Sequence, residues 1–145
     1  MRESISVSGE VALTFRRNGE ITDKLSGKNL VVTSGKALIV SRLGSNSEGP
    51  VSFVAMGAGT SVANAAETAL VAEIERVAAV NTSINNLFSL QATLGGSILT
   101  DTSVAEFGLF SQSSGGILLA RFVIAERTFV PGDEILVEWT LQFGV

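Results

Sequence analysis

Residues 134–143 read Glu134-Ile135-Leu136-Val137-Glu138-Trp139-Thr140-Leu141-Gln142-Phe143. Ile135, Val137, Trp139, Leu141 and Phe143 share one parity; Glu134, Leu136, Glu138, Thr140 and Gln142 share the other. Successive side chains of an extended backbone point to opposite faces, so this period predicts a strand with one face in the core. Pro131-Gly132-Asp133 supplies the turn that leads into it. The same parity recurs near the start of the chain. Ile5, Val7, Val11, Leu13 and Phe15 are odd, with Gly9 filling the gap, and Ser4, Ser6, Ser8, Glu10, Thr14 and Arg16 are even, Ala12 being the exception. Asn18-Gly19 follows as a type I′ turn signal, because both central residues must accept positive φ. Ile21 to Leu25 is then the returning arm. Both ends of the sequence are therefore expected to lie within sheets.

Between these strands, Val51 to Met56 is a nearly continuous apolar strand. Ile84, Phe88, Leu90, Ala92 and Leu94 predict a strand of about ten residues ended by Gly95-Gly96. Val104 to Phe110 and Ile117 to Ile124 read as a further pair joined by a turn at Ser111 to Gly116. Two short helical segments are expected. One runs from Lys36 to Leu43, capped by Thr33 or Ser34, closed by Gly44 and half-buried through Ala37, Leu38, Val40 and Leu43. The other is a single turn around Thr68 to Ile74. Ser45 to Pro50 is a polar loop. Seven or eight strands with glycine-rich turns predict one all-β domain over 1–145, a jelly-roll-like β-sandwich with one or two short helices.

The composition narrows the chemistry. The chain of 145 residues has neither histidine nor cysteine. It therefore has no imidazole base, no Ser-His-Asp triad, no thiolate nucleophile, no disulfide and no zinc or iron–sulfur cluster held by such ligands. A formal net charge of −4 argues against general nucleic-acid binding. Met1 to Ser6 has no apolar signal-peptide stretch, and no run approaches the ~20 apolar residues of a membrane span. Charged residues are 17% of the chain and mean hydropathy is +0.41. A surface so short of charge is expected to be covered by a partner.

Several local motifs suggest chemistry and fall short of it. Gly57-Ala58-Gly59-Thr60 follows a strand like the opening of a dinucleotide loop, but position 62 is Val and no βαβ context surrounds it. Ser34-Gly35-Lys36 resembles the tail of a phosphate-binding loop, but position 30 is Leu and position 37 is Ala. Glu73 with Glu75, and Asp133 with Glu134, are acidic pairs without a third polar partner, and Asp133 and Glu134 suit a solvated turn. Arg2, Arg16 and Arg17 lie among acidic residues and read as a solvated edge. Trp139 reads as core. Glu106 differs, since a carboxylate inside an apolar strand is costly unless paired. A turn at Ser111 to Gly116 would bring Arg121 or Arg127 across from it, as a structural ion pair. No catalytic, cofactor-binding or metal-ligating residue is assigned, and an enzyme is not expected.

One ordered series of segments goes further: Gly9 to Leu13, Asn29 to Lys36, Met56 to Thr60, Thr68 to Glu73, Glu106 to Phe110, Leu119 to Arg121 and Trp139 to Phe143. Together they resemble small virion structural proteins of tailed bacteriophages, over nearly the whole chain. Within that group the resemblance implies a capsid decoration, or cement, protein without cofactor. Such a protein sits on the outer capsid surface of the virion after synthesis in the host cytoplasm. Its implied partners are the phage major capsid protein and itself, as a homodimer or homotrimer, with no nucleic acid and no membrane. The alternatives are a baseplate or tail-fibre attachment protein, or a carbohydrate- or receptor-binding module. The last is disfavoured because the chain has one tryptophan and no tyrosine to stack on sugar rings.

Overall fold

The computed structural model describes residues 4–44 and 48–144. Met1 to Glu3, Ser45 to Ser47 and Val145 lie outside the described residues, so the expectations for Arg2 and for that part of the Ser45–Pro50 loop do too. The described residues form an all-β sandwich with one short helix. Its elements are β1 (Ser6–Arg17), β2 (Glu20–Lys28), β3 (Leu30–Val31), α1 (Thr33–Ser41), β4 (Phe53–Gly57), β5 (Glu73–Ala78), β6 (Val80–Ile84), β7 (Leu87–Leu94), β8 (Thr102–Phe110), β9 (Leu118–Phe129) and β10 (Asp133–Gly144). One sheet has the order β2-β1-β10-β7-β6, the other β3-β9-β8-β4-β5, and every pairing is antiparallel.

The two alternating strands that bracket the sequence pair with each other. β1 and β10 run in unbroken register from Ser6 opposite Gly144 to Arg17 opposite Asp133. Val11 therefore faces Trp139, and Leu13 faces Val137, on the buried side. Directly opposed residues of an antiparallel pair share a face, so one matched parity commits both strands to the core together. Asn18 and Gly19 both have positive φ, 50° and 84°, as a type I′ turn requires. The facing sheet contributes Val54, Met56, Phe107, Leu109, Phe122 and Ile124 to the same core. Its own outer side carries a smaller cluster of Val32, Ala55, Leu70, Phe110 and Leu118. β8 is buried on both faces, which is why Val104 to Phe110 reads as an almost continuous apolar run.

Five expectations are corrected. The strand expected from Ile84 to Leu94 is a hairpin, β6 and β7, turning at Asn85-Asn86 with Asn85 at φ 54°. Ile84 lies opposite Leu87 and is exposed, whereas Phe88, Leu90, Ala92 and Leu94 line the core side. The two-residue turn preserved the even spacing, so periodicity ran through it. The segment from Thr68 to Ile74 is not a helical turn; it bends and enters β5 at Glu73, where pairing with β4 and cover for Glu106 outweigh its propensity. The helix starts at Thr33 rather than Lys36, its cap is Val32 without a side-chain bond, and the Ser34 hydroxyl donates to the Leu118 carbonyl instead. Ala37, Val40 and Leu43 are exposed, so α1 buries only Gly35 and Leu38 fully. Among the described residues ten strands replace the seven or eight expected, because edge strands β5 and β6 carry charged or exposed residues that mask their period.

A chain ending at Pro131 would lose β10 from the middle of its sheet, together with Ile135, Val137, Trp139 and Leu141, all at most 1% exposed. Each such side chain contributes roughly 1.5–3 kcal/mol by burial. That truncation is expected to show no cooperative thermal transition in circular dichroism.

Candidate functional site

Glu106 lies in β8 beside a register shift between Val104 and Glu106, which turns its side chain to the outer face of the sheet while Val104 and Phe107 stay in the core. There it is 0% exposed. Its Oε2 accepts hydrogen bonds from the N–H of Gly59 at 2.6 Å and of Ala72 at 2.8 Å. Its Oε1 accepts from the N–H of Val71 at 2.9 Å and from Arg121 Nε at 3.1 Å. The expected partner is thus Arg121, also fully buried; Arg127 instead pairs with Asp23 and stacks over the Phe15 ring. Burial pushes the Glu106 carboxyl upward. The N–H groups of Ala72, Val71 and Gly59, with Arg121, outweigh it and hold the group below its ordinary value.

Arg121 ties the surrounding loop together. It lies opposite Gly108, the residue two beyond Glu106 in β8. Its Nη1 donates to the Ser61 carbonyl at 3.0 Å and to Glu67 Oε1 at 3.2 Å. Glu67 in turn accepts from the Asn64 N–H, and Ala65 O accepts from the Thr33 N–H at the start of α1. Residues 58–72 therefore form a strap across the outer face of the sheet, fastened at both ends to one carboxylate. Gly57-Ala58-Gly59 serves that closure rather than a nucleotide. A Cβ on Gly59 would lie 2.3 Å from Glu106 Oε2, and one on Gly57 would lie 2.8 Å from it. A Cβ on Gly108 would meet Leu70 at 2.8 Å.

The other sequence candidates are dispersed. Glu73 pairs with Arg76, while Glu75 accepts from the Gly95 N–H at 2.7 Å, so the two carboxylates serve separate partners. Asp133 is not a solvated turn residue. It is 8% exposed, holds Arg17 through two hydrogen bonds of 2.6 and 3.0 Å, and accepts from the Val130 N–H. The long β1–β10 register brings it there, and it makes Arg17 a paired rather than a free cation. The bond to Arg17 lowers the Asp133 carboxyl despite partial burial. Trp139 is core, as expected, and its Nε1–H donates to Asn29 Oδ1 at 3.0 Å. Gly35 packs against the Leu119 backbone, where a Cβ would lie 2.2 Å from the carbonyl oxygen. Among the described residues no group of three acidic side chains comes together to hold a metal ion.

Sequence reading paired Glu106 with Arg121 but missed the N–H donors of Gly59, Val71 and Ala72 and the carbonyl of Ser61. Backbone donors leave no residue-type signal. The two glycines at Gly57 and Gly59 were the available trace, because they mark a close approach of chain to side chain. Chemically the arrangement is a closed one. Both carboxylate oxygens are saturated by donors and shielded from solvent, so the group binds its own loop.

Glu106→Gln would set an amide donor against N–H donors in either orientation, and is expected to cost about 3–5 kcal/mol. Arg121→Met should cost less, since three N–H groups still hold the carboxylate. Both are read from denaturant unfolding. Glu106 and Asp133 have lowered values in the fold, so the unfolded chain takes up protons first. Their stabilisation is full above the ordinary values of 4.5 and 3.8 and is lost as pH falls through the depressed folded values. The melting temperature should drop across that acidic range, with a shallower slope in Glu106→Gln.

No protein-family model, curated protein or solved structure matches this chain.

Proposed function

We propose that this protein is a non-enzymatic structural component of a tailed-phage virion. In this reading it decorates the outer capsid surface, bridges capsomers by binding the major capsid protein, and self-associates as a homodimer or homotrimer. The observation that carries the reading is the ordered series of resembling segments along the chain. The fold adds physical sense to that series, because its members interlock. Asn29 bonds Trp139 and packs against Gly9, Gly35 sits on Leu119, and Gly59, Val71 and Ala72 close on Glu106 and Arg121.

A shell-binding protein needs a rigid surface that carries little charge. The strap supplies one. It presents Val62, 88% exposed, and Val71, 59% exposed, on backbone anchored to a buried carboxylate. Side-chain burial at such a surface costs little conformational entropy beyond that already spent in folding. The candidate contacts with the capsid are Gly57 to Ala66, which includes the first part of the strap, and the Gly44 to Pro50 loop. Many equivalent copies on one shell would make modest single contacts strong together.

Binding only to the assembled shell stabilises that shell by mass action. Particles made with the gene disrupted should therefore release DNA at a lower temperature than complete particles in a heating series followed by dye fluorescence. Equal release temperatures, with loss of tail parts or of infectivity, would assign the protein to the tail instead.

A further inference from the structure

Among the described residues the two sheets end on four edge strands, β2 and β6 in one, β3 and β5 in the other. An open edge presents unpaired N–H and C=O groups, and monomeric proteins blunt it with charge, proline, bulges or brevity. Three of these edges are blunted. β2 carries Glu20, Asp23, Lys24 and Lys28 and pairs through a bulge at Phe15/Arg16. β5 carries Glu73, Glu75 and Arg76 and has a register shift at Met56/Gly57. β3 is two residues long. β6, Val80-Asn81-Thr82-Ser83-Ile84, has none of these features. Its pairing with β7 is regular from Val80 to Ile84, all five residues are exposed, and the chain is uncharged from Val77 to Thr100.

We propose that β6 is the self-association edge of this protein, pairing antiparallel with β6 of a second copy about a two-fold axis at Thr82. Two features of the strand favour a second copy over an unrelated partner. A neutral strand meets its own copy without like-charge repulsion, and its pattern is self-complementary about Thr82. With Thr82 on the axis, Val80 stands opposite the partner's Ile84, and Ile84 opposite the partner's Val80. These residues are 76% and 60% exposed in the single chain; across the β6–β7 ladder Val80 lies opposite Gln91 and Ile84 opposite Leu87. Pairing would join two five-stranded sheets into one continuous sheet and remove the unprotected edge from both copies. The inference rests on the proposed decoration role only in supplying the surface for its self-association; the edge argument stands on the strand itself.

Sedimentation equilibrium of the purified full chain tests it. The weight-average mass should rise with concentration from 15.1 kDa toward twice that value. Thr82→Lys places two ammonium groups together at the axis and should hold the mass at the single-chain value, with an unchanged circular dichroism spectrum and the melting temperature that the wild type shows when diluted to a single chain. Ser26→Lys, on the charged edge β2, should associate like the wild type. A wild-type chain that stays monomeric to millimolar concentration overturns the proposal, and so does a Thr82→Lys chain that still associates. A trimer overturns it as well, since a two-fold edge closes at two copies. Each result is read in solution without particles, so failure here is distinct from failure of the shell-heating experiment.

Discussion

A carboxylate with no access to water must either find donors or stay protonated, and Glu106 finds four. Much of the sheet formed by β3, β9, β8, β4 and β5 depends on that satisfaction. The strap of residues 58–72 has little regular structure of its own, and hydrogen bonds to Glu106 and Arg121 give its backbone polar groups their partners. Held there, it brings Leu70 over Gly108 and completes the outer cluster of Val32, Ala55, Phe110 and Leu118. The ion pair alone would be weak support for stability, because desolvating two charges offsets most of their attraction. Its value lies in coupling: one side chain fixes a loop, the end of β4, the start of β5 and the position of β9.

The opposite sheet is held by different physics. β1 and β10 share a long register with matched parity, and their buried faces meet the inner residues of β4, β8 and β9. This side is a hydrophobic assembly, closed at one end by the Arg17–Asp133 pair beside the turn at Gly132. At its far edge the hydrophobic logic stops. β6 hangs beyond the main core with exposed Val80 and Ile84, while the outer face of the other sheet is covered by its own strap. The sandwich is thus covered on the outer face of one sheet and open along one edge of the other.

The buried Glu106 carboxylate is committed to three backbone donors and Arg121. The groove of roughly 440 Å³ between α1 and the β6–β7 hairpin is lined by residues such as Ile39, Val51, Leu87, Phe88 and Phe143, with Arg42 the one charged member among the described residues. The described surface presents exposed Val62 and Val71 on the strap and an exposed, uncharged strand at β6.

Local periodicity determined the strands with one wet and one dry face, because alternation is a direct record of burial on a pleated chain. That covers β1, β7 and β10, and the turns at Asn18-Gly19 and Ser111 to Gly116, where backbone geometry demands particular residues. The sequence also required an arginine for Glu106, Arg121 or Arg127, since a carboxylate in an apolar run must be answered by a cation nearby, and the structure gives it Arg121. Three things were decided only by the tertiary structure. β5 and β6 lie at edges, where a strand needs no dry face and so leaves no period. The residues from Thr68 to Ile74 have helical propensity, yet their N–H groups satisfy a carboxylate 34 and 35 residues away in sequence. The glycines at Gly57 and Gly59 are needed because Glu106 arrives there in three dimensions, a proximity that no spacing along the chain records.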